Sequence, residues 1–167
     1  MPRLSADMTE VYTKILALLD SRNVKYETEH HETTITSQDA ARIRNVSLHA
    51  GAKALVIRGN KTKQYWLFVM PADLRLSSAK VTAIIGEKFS FAPEPEAVTG
   101  CVRGSVPPLG SMIGLKTYCD KRLAENEIIH FNAGSLTDSV TMQYTDYLAI
   151  EKPELVDITE TAADNAI

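Results

Sequence analysis

Apolar residues recur at helical spacing over residues 7–22, where Val11, Ile15, Leu18 and Leu19 share one stripe, and this predicts an amphipathic helix. Asp7 with Glu10 three residues on has the form of a capping box. Residues 23–28 alternate polar and apolar, as a short strand does. Thr36 or Ser37 can cap a second helix over Gln38 to Arg44. Residues 52–58 and 65–70 read as two strands around the polar turn Gly59-Asn60-Lys61-Thr62-Lys63, and so as a hairpin. Ser77 or Ser78 caps a helix to Ile85, with Gly86 past its end. Pro93-Glu94-Pro95-Glu96 opens a short helical turn. Strands follow at 114–119 and 127–132 around the charged turn or short helix Asp120 to Asn126, then at Val140-Thr141-Met142, before a final helical turn from Tyr144 to Ile150. The fold class is mixed α/β, and the hairpins argue against a doubly wound parallel sheet.

Charge changes the picture near the end. Residues 151–167 hold five acidic residues and one lysine. Without them, the chain's 18 basic and 21 acidic residues fall to 17 against 16. The sequence therefore predicts one domain over residues 1–152 and a disordered acidic tail over 153–167. A near-neutral body disfavours a grip on a long duplex but leaves room for contact with the end of an RNA. No apolar run is long enough to span a membrane and the N-terminus has no signal-peptide core, which sets the expectation of a cytoplasmic protein without membrane partners. Cys101 and Cys119 are too few and too isolated for a disulfide framework or a metal site, and read as buried thiols.

Chemistry concentrates in the loop Gly104-Ser105-Val106-Pro107-Pro108-Leu109-Gly110. Glycine lets backbone N–H groups approach a ligand, while the prolines fix φ and remove donors, leaving a stiff loop with few directed N–H groups. Such a loop can hold an ester carbonyl or an oxyanion, although Pro-Pro also serves as an ordinary rigid turn. Asn132-Ala133-Gly134-Ser135 is a second small-residue loop, able to form a facing wall or simply a turn. Lys53 interrupts the apolar run Ala52 to Ile57. Its ammonium either snorkels to water or faces a cleft as a point charge for a carbonyl or phosphate. His30, His31, His49 and His130 read as structural or surface residues. There is no nucleophile elbow, P-loop, dinucleotide-binding glycine pattern or zinc-protease helix, so neither a cofactor nor a metal is expected.

Four pieces in order carry a resemblance. They are Gly51-Ala52-Lys53-Ala54-Leu55-Val56, Met70-Pro71-Ala72-Asp73-Leu74-Arg75-Leu76, the Gly104-x-x-Pro107 loop, and Phe131-Asn132-Ala133-Gly134-Ser135 leading to Ser139-Val140-Thr141-Met142. Over residues 8 to 150 the chain resembles the YbaK/EbsC family and the editing domain inserted in bacterial prolyl-tRNA synthetases. The resemblance implies a curved, partly closed mixed sheet with flanking helices. It also implies a freestanding deacylase that hydrolyses the ester of mischarged tRNA in trans, typically tRNA-Pro carrying Ala or Cys. The partners implied are the aminoacyl-tRNA acceptor end and prolyl-tRNA synthetase, and the alternative is a non-catalytic tRNA- or synthetase-binding module of the same fold. By position, Lys53 matches the family's essential lysine, with Gly104 and Ser105 beside it as the catalytic backbone. Val106, Pro107, Pro108, Asn132, Gly134 and Ser135 line the aminoacyl pocket. The family offers no protein nucleophile, so either a positioned water or a substrate thiol attacks. Pro108 and Leu109 depart from some subgroups of the family, and Lys61, Lys63, Arg75 and Lys80 could form a basic rim for tRNA.

Overall fold

The computed structural model describes residues 9–33 and 47–160. Among them are four helices: α1 Glu10–Ser21, α2 Ser78–Ile85, α3 Pro95–Thr99 and α4 Tyr144–Glu151. The eight strands are β1 Tyr26–His30, β2 Ala52–Gly59, β3 Tyr65–Pro71, β4 Phe89–Phe91, β5 Lys116–Asp120, β6 Ile128–Asn132, β7 Asp138–Gln143 and β8 Glu154–Val156. The helix expected over 38–44 and the residue Asp7 fall outside the described residues. None of the helices described is long and apolar enough to cross a membrane.

A five-stranded sheet runs β4-β2-β3-β5-β8, and a three-stranded sheet runs β1-β7-β6. The β2–β3 hairpin forms as its pattern predicts, with Val56 opposite Leu67. β3 pairs in parallel with β5, and β5 with β8, so the large sheet is mixed. Burial explains its apolar centre. Leu67 and Val69 enter one core with α1 and the small sheet, while Trp66, Phe68 and Met70 enter a second with Val81 of α2 and Ile158. A strand covered on both faces has no polar side to alternate with.

Helix ends follow local chemistry. Ser77 caps α2 by accepting from Lys80 N–H, and Gly86 closes it in the left-handed region. Thr9 caps α1, its hydroxyl oxygen accepting from Tyr12 N–H. Both cysteines are buried free thiols.

Residues 153–160 overturn the expectation of a tail disordered from 153 onward. β8 continues the sheet, Ile158 and Thr159 are fully buried, and Thr159 bridges Leu76. Acidity misleads here because the acid is paired: Asp157 meets Arg122 Nη1 at 2.8 Å and Lys80 Nζ at 3.1 Å. Arg122 Nη1 also reaches the buried Asp120 at 3.2 Å, and Asp120 accepts the N–H of Ile158 at 2.9 Å. Residues 161–167 lie outside the described ones.

Candidate active site

Two loops remote in sequence are joined by hydrogen bonds. Gly134 N–H donates to Ser105 O at 2.9 Å, and Asn132 Nδ2 donates to Gly104 O at 2.8 Å. Both glycines sit at positive φ, +87° for Gly104 and +76° for Gly134, where a side chain would be strained. At Gly134 there is also no space, since a Cβ would stand 2.7 Å from Val11 Cγ1. The start of α1 packs there, and the Thr9 hydroxyl that caps the helix donates to Gly134 O at 3.1 Å.

Lys53 approaches this wall through the sheets. Gly51 and His130 form a parallel bridge, so Ala52 runs beside Phe131 and Lys53 beside Asn132. Ala52 and Phe131 both enter the first core. Alternation then places Lys53 and Asn132 together on the opposite face of the seam. Lys53 is exposed and its side chain bonds to no described residue, so its ammonium is available to a ligand. The rim residues expected with it behave differently. Lys80 donates to Asp157 and to Thr159 O, and Arg75 lies 4.0 Å from Glu160.

The 104–110 loop has only three possible N–H donors before its prolines. Ser105 N–H closes a turn onto Val102 O at 3.0 Å, and the Ser105 hydroxyl bonds the same carbonyl at 2.7 Å. Ser105, expected as a backbone donor, is fully buried here and engages its N–H and hydroxyl in its own turn. The N–H groups of Gly104 and Val106 donate to no described residue and are the loop's free donors. Val106, Pro107 and Pro108 are buried, with Pro108 O accepting from Tyr147 Oη at 2.7 Å. Ser135 also turns inward, its oxygen accepting Thr137 N–H at 3.0 Å.

The nucleophilic side chains at the wall, among the described residues, are engaged or buried. The Ser105 and Ser135 hydroxyls hold turns, and burial pushes the Cys119 thiol up to about 12 and the Cys101 thiol upward. Neither thiol is activated at neutral pH. Among the described residues, the arrangement offers the Lys53 ammonium, the amide donors of Gly104 and Val106, and a stiff wall. Among the described residues no group of three or more His, Cys, Asp or Glu side chains has the makings of a metal site.

Two clusters escaped the sequence reading because their members are far apart in the chain. Asp138, 1% exposed, lies behind the 132–135 loop with His30 Nδ1 at 2.9 Å and the Thr137 hydroxyl at 3.3 Å. His49 sits between Asp73, at 2.8 Å from Nδ1, and Glu125, at 3.1 Å from Nε2. Its pKa is raised, chiefly by the hydrogen bond to Asp73. Asn126 Nδ2 donates to His49 O at 2.9 Å, so the cluster gathers three loops at the end of the sheet that carries Lys53. No local motif announces either cluster.

Comparison with known proteins is consistent with this geometry. The profile of the aminoacyl-tRNA editing domain family matches residues 31–150. The multifunctional Ser/Thr-tRNA deacylase ProXp-y of Escherichia coli K12 is 34% identical over 157 residues, covering 90% of this chain and 94% of its own. A crystal structure described as a candidate trans-editing enzyme for prolyl-tRNA synthetase superposes with a TM-score of 0.78 at 23% identity, over 92% of this chain and 99% of that one. A scaffold used for epitope backbone grafting gives 0.79 at 24%, over 92% and 100%. At such identities the two structures speak for the fold alone.

Proposed function

This chain belongs to the aminoacyl-tRNA editing domain family, and from that premise we propose that it is a freestanding aminoacyl-tRNA deacylase that clears mischarged tRNA in trans in the cytoplasm. The observation that carries the reading is the convergence of Lys53 and Asn132 on one face, with Asn132 bonded to Gly104. The catalytic group consists of Lys53 and the N–H groups of Gly104 and Val106. Asn132, Gly134, Pro107 and Pro108 shape the aminoacyl pocket, and Ser105 and Ser135 hold its turns.

The reaction needs little more. An aminoacyl ester is already activated, so placing it beside a water can suffice. Water adds to the ester carbonyl carbon and the negative charge collects on its oxygen. The N–H groups of Gly104 and Val106 are free to receive that charge, in a stiff loop that needs no reorganisation to do so. The C–O bond to the ribose then breaks, releasing the amino acid and tRNA with a free terminal hydroxyl. Lys53 holds the terminal ribose, phosphate or carbonyl by a charge-assisted hydrogen bond. The engaged serines and unactivated thiols support water as the attacking group.

Seryl and threonyl esters lead the substrate list, because the 34% identical relative is a Ser/Thr-tRNA deacylase. Alanyl and cysteinyl esters on tRNA-Pro follow from the family resemblance. The test is a panel of Ser-, Thr-, Ala- and Cys-charged tRNAs with the purified protein. Faster loss of at least one ester, competed by uncharged tRNA, is expected. Binding to the panel without faster hydrolysis would return the chain to the class of non-catalytic modules.

A further inference from the structure

The 104–110 loop cannot secure its own middle. Pro107 and Pro108 lack N–H groups, so the loop must be held from outside, and α4 does this from beneath. Tyr147 is fully buried, and its hydroxyl donates to Pro108 O at 2.7 Å. Burial pushes its pKa well above the ordinary tyrosine value, which keeps that hydroxyl a donor. One helical turn on, the buried Glu151 carboxylate accepts from Ser111 N–H at 3.2 Å, from the Ser111 hydroxyl at 2.6 Å and from the Thr117 hydroxyl at 2.6 Å. Residues four apart share a helix face, so Tyr147 and Glu151 form a two-point clamp on the loop's downstream end. Between them Leu109 is fully buried, and a Cβ at Gly110 would run into the Thr117 hydroxyl and the Leu115 carbonyl.

The upstream end is held by other elements, through Asn132 to Gly104 O and Gly134 to Ser105 O. Between the two grips, no described residue bonds the Val106 N–H, and Pro107 has none to offer. The placement of Val106 and Pro107 is therefore set by the grips at either side together with the packing of Val106 in the first core. We propose that Tyr147, which touches no substrate, is a positioning residue: through Pro108 O it sets the depth of the Val106-Pro107 wall and with it the discrimination among amino-acid side chains. This rests on the deacylase reading of the same loop.

Tyr147→Phe keeps the ring and removes only the hydroxyl. Single-turnover hydrolysis of Ser-, Thr-, Ala- and Cys-charged tRNA is compared for wild type and variant, with KM and kcat separated and folding followed by thermal melting. The expected result is a change of about tenfold in the ratio of kcat/KM between the smallest and largest accepted amino acids, as loss of one buried hydrogen bond allows. The change should lie in kcat, with KM for the tRNA held within about twofold, since the RNA is gripped elsewhere. A purely structural tyrosine would lower all four rates by one factor and leave the ratio unchanged, which overturns the proposal. Glu151→Gln loosens the other point of the clamp and is expected to move the same ratio in the same direction. It decides the matter if Tyr147→Phe does not fold, an unchanged ratio again overturning the proposal. Wild-type protein idle on all four esters would instead overturn the deacylase reading, and the positioning role with it.

Discussion

The amide of Gly134 reaches the carbonyl of Ser105 across 2.9 Å, so a loop after β6 and a loop before β5 make a single wall. Val11 and the cap of α1 lie directly behind that contact. Anything that pushes Gly134 away from α1 also pulls on the Ser105 turn.

Gly134→Ala tests this connection. The new Cβ would meet Val11 Cγ1 at 2.7 Å and Cβ at 2.8 Å, at a φ of +76°. Residue strain and overpacking of this kind cost ~1–3 kcal/mol each. The expected outcome is a lower urea midpoint together with a loss of deacylation larger than the unfolded fraction explains. Adding Val11→Ala removes the Cγ1 contact but leaves the 2.8 Å approach to Cβ and the strain at φ +76°, so it should recover only part of the lost stability. A Gly134→Ala protein with wild-type stability would refute the close packing of α1 on this loop.

Lys53 gives the opposite signature. Its ammonium is exposed and bonds to no described residue, so Lys53→Ala should leave the melting temperature within about 2 °C, as surface changes do. Deacylation should fall by ~10²-fold, the scale for loss of one electrostatic contact to a developing charge. Lys53→Arg keeps the charge but replaces a point donor with a planar fork, and is expected to recover only part of the rate. Equal single-turnover rates for wild type and Lys53→Ala would remove the lysine from the mechanism.

Much of the frame is legible from local pattern. The β2–β3 hairpin, the Ser77 cap and Gly86 stop of α2, and the proline-opened α3 each depend on neighbours in sequence, which a single chain displays. The same holds for candidate residues that announce themselves as oddities, such as a lysine in an apolar strand. What was hidden depends on partners far apart. β8 is too short and acidic to stand out, and Asp157 just after it meets Arg122 and Lys80 only in the folded chain. Asp138 finds His30 across 108 residues. At Ser105 the sequence shows a small residue in a glycine-bracketed loop but not the carbonyl its N–H serves.

The His49 cluster predicts a pH dependence of stability. Its folded pKa is raised above the ordinary 6.5 by the hydrogen bond to Asp73, opposed by desolvation and reinforced by Glu125. A raised folded pKa means that the charged pair stabilises the fold fully below about pH 6.5 and ceases to do so as pH climbs through the folded value. The urea midpoint of wild type minus that of His49→Gln should therefore be greatest near pH 6 and shrink toward pH 9. A difference that is flat or grows with pH would show that the imidazolium is not the stabilising form.

The C-terminal segment makes the sharpest separation between a tail and a piece of the fold. Ile158 is fully buried against the second core, and its N–H is accepted by the buried Asp120. Ile158→Ala should cost ~2–5 kcal/mol, the range for emptying a buried aliphatic site, read as a shift in urea midpoint with an unchanged slope. Asp157→Asn should cost less, at most ~1 kcal/mol, because its side chain is 38% exposed and water screens the pair. Its pKa is lowered mainly by the hydrogen bond from Arg122. That contribution is present above the ordinary 3.8 and fades as pH falls through the lowered folded value. The two substitutions therefore part company on acidification: the Asp157→Asn deficit should vanish as pH falls below the lowered folded value, whereas the Ile158→Ala deficit should persist for as long as the protein stays folded. An Ile158→Ala protein as stable as wild type would mean that the chain from 153 onward is dispensable to the second core.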